Sequence, residues 1–292
     1  MTGSSVLFDA PGPRARVRNR LISAVTVAVV VAIAWLVYVR LDEKGQLTAA
    51  KWEPFLTPDL WRTYILPGIE GTLTAAAVSI VLALVLGFVL GVGRLSTHRG
   101  IRWVSSIIVE FFRAVPVLIM MIFAYFLYAN YDVFASQYLA LAGVITGLTL
   151  YNGAVIAEIV RAGVHALPRG QAEAASALGL TSGQTMRSIL LPQAVTSMLP
   201  VLVSQVVVVL KDTALGYQIT FVELVRQGTN VGSSYGNYIP ALIVIALLMI
   251  CLNFTLSWLA TRLEARLRRS RKGPAPMEAE PLELQGDRSR GV

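Results

Sequence analysis

Charge is scarce in this chain. Only 14% of its 292 residues are Asp, Glu, Lys or Arg, against about 25% in an average soluble domain. With 55% hydrophobic residues, a soluble domain of this length would struggle to hide its apolar surface. The single cysteine, Cys251, lies inside an apolar run, which excludes an internal disulfide and fits a small packed hydrophobe better than a reactive thiol. The two histidines, His98 and His165, stand in separate polar segments without metal-ligand spacing, so no metal site is expected. No glycine-rich phosphate loop ending in Lys-Ser/Thr occurs, so ATP hydrolysis is not expected of this chain. Ser204 has no histidine in any apolar run to activate it, and an enzyme is poorly supported. The net charge of +8 is split among loops and tails without interleaved aromatics, which argues against nucleic-acid binding.

What the chain does have is long apolar runs. Six spans are predicted, at residues 21–39, 70–93, 104–129, 137–160, 196–222 and 237–262. Each approaches or exceeds the ~20 residues that cross a hydrocarbon core of ~30 Å. Lipid offers no partner to backbone amides, so these runs cross as helices and the fold class is an all-α integral membrane protein. Counted alternately, Arg14, Arg16, Arg18 and Arg20 share a side with Arg94, Arg99 and Arg102. Arg161, Arg169, Arg187 and the group Arg262 to Lys272 fall on that same side, which the positive-inside rule makes cytoplasmic. The first run could also belong to a secretory signal, but at about 19 residues it exceeds the usual 7 to 15 and no small-x-small cleavage site follows. A retained anchor with an inward amino terminus is therefore expected. Residues 40–67 form an external connection, with Trp52, Trp61 and Tyr64 as interfacial anchors. The tail from 266 to 292 mixes proline and charge without periodicity and is expected to be disordered.

A compact polar insert separates the fourth and fifth runs. Pro168 can open a helix that Arg169 to Leu178 continues, and Gly179 can end it in the left-handed conformation. Thr181-Ser182-Gly183-Gln184 has the form of a capping box that opens a second short helix. That helix is expected to stop before Pro192. The fixed pattern is Glu173-Ala174-Ala175, three residues, Gly179, nine residues, then Ile189-Leu190-Leu191-Pro192.

With its flanks Ala157 to Gly163, Pro168 to Gln171 and Leu210 to Thr213, this pattern resembles the coupling loop of the membrane subunits of ATP-binding-cassette importers. It looks like the polar amino-acid uptake branch, over roughly residues 68–265. The resemblance implies a five-helix importer core plus one added N-terminal span. The domains are then 1–20 basic cytoplasmic segment, 21–39 extra span, 40–67 external connection, 68–265 permease domain and 266–292 tail. It also implies that Glu173, Ala174, Ala175, Gly179, Ile189, Leu191 and Pro192 couple to an ATPase. No cofactor is expected in this chain, since ATP and Mg would be bound by partner ATP-binding subunits. Further implied partners are an external amino-acid-binding protein and a second permease subunit in a heterodimer.

Ionisable residues within spans are costly unless paired or hydrated. Glu110 with Arg113, and Glu158 with Arg161, are each three apart and share a helix face. They serve either as structural ion pairs or, for Arg113 and Glu158, along a gate or path. Arg113-Ala114-Val115-Pro116 departs from the Arg-Gly-Thr-Pro that the family often has here. Lys211-Asp212-Thr213 interrupts the fifth run. Lys211, Asp212 and Thr213 are expected to line a translocation path, with Lys211 and Thr213 facing it, the alternative being that Lys211 snorkels outward while Asp212 pairs with a neighbouring helix. A self-sufficient channel or ion-coupled carrier would share the composition but leaves the coupling pattern unexplained. The long amino-terminal extension, with Phe8 to Pro13 and the arginines after it, looks like that of glutamate-uptake permeases. Glutamine, aspartate and arginine stay open as substrates.

Overall fold

The computed structural model describes residues 12–269. The first eleven residues, Phe8 to Pro11 among them, and the expected tail from residue 270 onward lie outside the described residues. All regular elements among the described residues are helical. They are α1 (Pro13–Glu43), α2 (Pro58–Arg94), α3 (Arg99–Ala114), α4 (Val117–Asn130), α5 (Leu139–His165), α6 (Arg169–Ala177), α7 (Ser182–Ile219), α8 (Leu224–Tyr235) and α9 (Tyr238–Arg269). Short turns at Ala49–Trp52 and Glu53–Leu56 lie between α1 and α2. α1, α2, α5, α7 and α9 are each long and apolar enough to cross a membrane, and counting α3 with α4 as one bent span makes six.

Helix boundaries depart from the sequence expectation where proline acts. α1 starts at Pro13, eight residues before the expected span, because Pro13 occupies the first helical turn, where a fixed φ and a missing N–H cost nothing. The single span expected at 104–129 is instead two helices meeting at 99°. Val115, preceding Pro116, is pushed into the extended region at φ −87° and ψ 128°. Pro116 is itself extended, and two extended residues in succession turn the chain. The second helix of the insert does not stop before Pro192. It runs through a π-helical turn, Met186–Leu190, directly into Leu191–Asp212. Proline lacks the amide that a regular helix requires and crowds the carbonyl four residues back, and the wider π turn ahead of it relieves that demand. The same device recurs in α2, where the π turn Trp61–Ile65 precedes Leu66-Pro67. α9 continues to Arg269, so residues 266–269, expected in the tail, are helical.

The described residues group into two compact units, 12–75 with 214–250 and 76–213 with 251–269. In the first, no residue of α1 is buried, as suits an apolar helix surrounded by lipid. The connection after α1 is tied down by polar contacts. Lys51 Nζ donates to the Gly236 carbonyl at 2.6 Å, and Asn237 Nδ2 donates to the Lys51 carbonyl at 2.9 Å. The indoles of Trp52 and Trp61 donate to the Gln46 and Phe55 carbonyls. The Tyr64 hydroxyl meets Ser234 Oγ, and its ring meets Tyr235 edge-on.

In the second unit α2 lies against α5 along a stripe of small residues spaced four apart, Ala83, Gly87 and Gly91. A Cβ on Gly87 would stand 2.6 Å from Ile156 Cβ, and one on Gly91 would stand 2.8 Å from Val160 Cβ. Such spacing brings two backbones close where lipid gives no hydrophobic drive to helix pairing. Ala83, Ile156, Val160, Val164, Ala194 and Met198 form the buried cluster behind this contact. Asn152, fully buried on α5, accepts at 2.6 Å from Gln205 Nε2 on α7 and donates to the Leu148 carbonyl.

Candidate functional site

The insert folds as its local sequence requires. α6 closes with two backbone bonds, Leu180 N–H to the Ala175 carbonyl at 3.1 Å and Gly179 N–H to the Ser176 carbonyl at 3.0 Å. Gly179 sits at φ +77° with nothing near the place a Cβ would take. This is the Schellman termination, which leaves few helix-end carbonyls unpaired and needs a left-handed residue. Two residues later the capping box is present. Gln184 N–H donates to Thr181 Oγ1, and Thr181 N–H donates to Gln184 Oε1 at 2.9 Å. α6 and α7 are thus held at a bend by chemistry that lies within sixteen residues of sequence.

The motif residues divide by exposure. Glu173, Ala174 and Gly179 face outward, whereas Ala175 is buried. Ile189, Leu191 and Pro192 are half-buried. Leu191, with Leu190 and Met186, packs on the Ala83–Ile156–Met198 cluster of the spanning helices. Gln193 Nε2 reaches Gln171 Oε1 at 3.2 Å, a direct link from α7 to α6. The insert is thus joined to the spans by the packing of Leu191 and to α6 by this amide pair. Leu178, absent from the sequence-derived set, is 80% exposed at the tip of the bend. A large apolar side chain flanking a glycine termination was the signal that could have found it.

Beside the insert, the i,i+3 pairs predicted from sequence merge into one network whose centre the sequence did not disclose. Arg94, at the end of α2 and only 10% exposed, donates to Glu158 at 2.7 Å and to Glu110 at 2.9 Å. Glu158 also binds Arg161 at 2.6 Å. Arg113 is peripheral, at 3.5 Å from Glu110 and 3.9 Å from Glu158. One guanidinium fork thereby ties the ends of α2, α3 and α5 together.

The tripeptide in the fifth run is not presented as one surface. The Lys211 side chain is exposed, Asp212 is half-buried, and Thr213 is fully buried with its hydroxyl donating to the Leu210 carbonyl at 2.7 Å. Thr213, expected to face a path, thus has its hydroxyl bonded to its own helix. From Thr213 onward the chain tightens into a 3₁₀ helix ending at Ile219. In the first unit, Glu223 is fully buried and caps α8, accepting from Val225 N–H at 2.7 Å and Arg226 N–H at 2.6 Å. Burial pushes its carboxyl up to about 7, although both amides and the Arg226 charge pull the other way. Among the described residues, no three His, Cys, Asp or Glu side chains converge as a metal site would need.

These features accord with what the chain resembles. Residues 83–269 match the model of the binding-protein-dependent transport system inner membrane component. The chain is 56% identical over 231 residues to the glutamate transport system permease protein GluD of Corynebacterium glutamicum, covering 79% of this chain and 85% of the relative. It is 30% identical to the arginine transport system permease protein ArtQ of Bacillus subtilis, over 70% of this chain and 93% of that one. A crystal structure of an amino acid ABC transporter with histidines superposes with a TM-score of 0.63 at 29% identity, covering 69% of this chain and 92% of that one. A multi-pass membrane protein with a locally encoded bend between its spans, this chain belongs to the family of binding-protein-dependent transport system inner membrane components.

Proposed function

We propose that this chain is the permease subunit of an ATP-driven importer of glutamate in the cell membrane. The observation that carries the proposal is the bend at Gly179. It exposes Glu173, Ala174 and Leu178 on one arm while Leu191 on the other is packed into the spanning helices. An arm presented outward and tethered inward is suited to pass a partner's movement to the translocation path. The partner is a cytoplasmic ATPase that binds ATP and Mg, and α6 seats in a groove on it. The small residues permit close approach, and Glu173 supplies a charge-assisted hydrogen bond. Substrate comes from an external binding protein, and a second permease subunit completes the path as a heterodimer. The distribution of basic residues supports a cytoplasmic insert and cytoplasmic termini.

Glutamate is favoured by the 56% identity to a permease bearing that name. An exposed lysine, Lys211, stands near the end of α7, where an ammonium can meet a carboxylate in a hydrated path. The test is uptake of radiolabelled glutamate by proteoliposomes holding the chain with its ATPase, second permease and binding protein. Uptake should require ATP inside and be blocked by excess unlabelled glutamate. Glutamine, aspartate or arginine competing more strongly than glutamate would reassign the substrate. Uptake driven by an ion gradient without ATP would instead support a self-sufficient carrier.

A further inference from the structure

We propose that the cavity between the end of α2 and the start of α7 binds an anionic phospholipid, with its headgroup at Arg187 and an acyl chain along α2. The cavity measures about 720 Å³, room for a headgroup and the upper part of a chain. Its apolar wall is formed by Phe88, Val89 and Val92 with Met186 opposite. That wall is continuous with the outer face of α2, where Val85 and Val89 are 61% and 64% exposed. In a membrane protein such a face meets acyl chains. The rim is polar, with Arg187, His98, Thr97 and Ser182 around the opening. Among the described residues no carboxylate pairs with Arg187, and no acidic side chain lines the cavity. An uncompensated guanidinium beside hydroxyls and above an apolar wall is complementary to a phosphodiester carrying hydrocarbon.

A separate observation places this rim at headgroup depth. The loop that supplies Thr97 and His98 runs straight into α3, whose first turns carry Arg99, Arg102 and Trp103, and Trp103 is 68% exposed. Arginine with exposed tryptophan is the composition of a membrane–water boundary. The site matters to coupling because Ser182, Met186 and Arg187 belong to the arm that follows the Gly179 bend. A bound lipid would stiffen that arm from its membrane side.

The experiment is native mass spectrometry of the full-length chain after incubation with equal phosphatidylglycerol and phosphatidylcholine. Wild type should retain phosphatidylglycerol in preference, and Arg187→Gln should lower that retention about fivefold, the factor matching roughly 1 kcal/mol per basic side chain at an anionic surface. Arg187→Lys should keep most of it, and Val92→Trp, which fills the wall, should remove it. Arg169→Gln, outside the cavity, should change nothing, and circular dichroism reports whether each variant is folded. The proposal is overturned if wild type shows no preference or if Arg169→Gln lowers retention as much as Arg187→Gln. It is overturned equally if free glycerol phosphate displaces the lipid, or if folded Arg187→Gln retains phosphatidylglycerol unchanged, the result for a cavity that seats a partner protein.

Discussion

Replacing Arg94 by methionine keeps most of the side-chain stem and removes the fork that joins three helices. Arg94 is 10% exposed and makes its two short contacts to carboxylates on different helices. Deleting one member of a buried ion pair generally costs about 3–5 kcal/mol, because the partner is left charged and unpaired. Here the stranded groups are partly compensated. Glu158 keeps Arg161 at 2.6 Å, and Glu110 is 58% exposed and can hydrate. The expected loss is therefore about 2 kcal/mol, below that range. Arg113→Met, which removes only the long contacts of a 38% exposed group, should cost under about 1 kcal/mol. The assay is reversible unfolding in mixed micelles, following helicity as denaturing detergent increases. A double-mutant cycle with Glu158→Gln should return coupling for Arg94 that exceeds that for Arg113. Equal losses for Arg94→Met and Arg113→Met, or a loss for Arg94 under about 0.5 kcal/mol, would refute the view that Arg94 organises the network.

Three further outcomes follow from single contacts. Gly91→Val places a branched side chain against Val160 Cβ and the Ala157 carbonyl, at 2.8 and 3.0 Å from the new Cβ, and should destabilise by about 1–3 kcal/mol in the same unfolding assay. For Glu223, the native carboxyl near 7 holds a proton that the unfolded chain releases near ~4.3. Stability should fall as pH rises between those values and level off above them, and Glu223→Gln should flatten the pH profile of thermal unfolding. Lys211→Ala should reduce substrate uptake with assembly and basal ATP hydrolysis intact. Unimpaired uptake in an assembled complex would return Lys211 to an outward, lipid-boundary role.

The sequence disclosed what local chemistry determines. Gly179 and the Thr181–Gln184 box are each read within a few residues, so the bend was legible in the sequence. The spans were legible because lipid tolerates little but apolar helix. Tertiary meetings were not legible. Arg94 finds Glu158 sixty-four residues away, and Gln205 finds Asn152 fifty-three away, separations that no helical period relates. Proline misled in both directions. At Pro116 the chain bends by 99° inside what looked like one apolar run, whereas at Pro192 a π turn carries the helix through an expected stop. The bond from Thr213 to the Leu210 carbonyl was not legible either, because a hydroxyl in a polar interruption can serve its own backbone as readily as a path.

The most direct test of the central claim is the ratio of substrate transported to ATP hydrolysed when Gly179 becomes valine. At φ +77° a side chain strains the backbone by about 1–2 kcal/mol, and branching at Cβ adds to it, so the bend should reopen although space around it is free. Gly179→Val is predicted to assemble with the ATPase and hydrolyse ATP while transport per ATP collapses, with Gly179→Asn, which tolerates the left-handed region, close to wild type. A Gly179→Val complex that transports with the wild-type ratio would contradict the account.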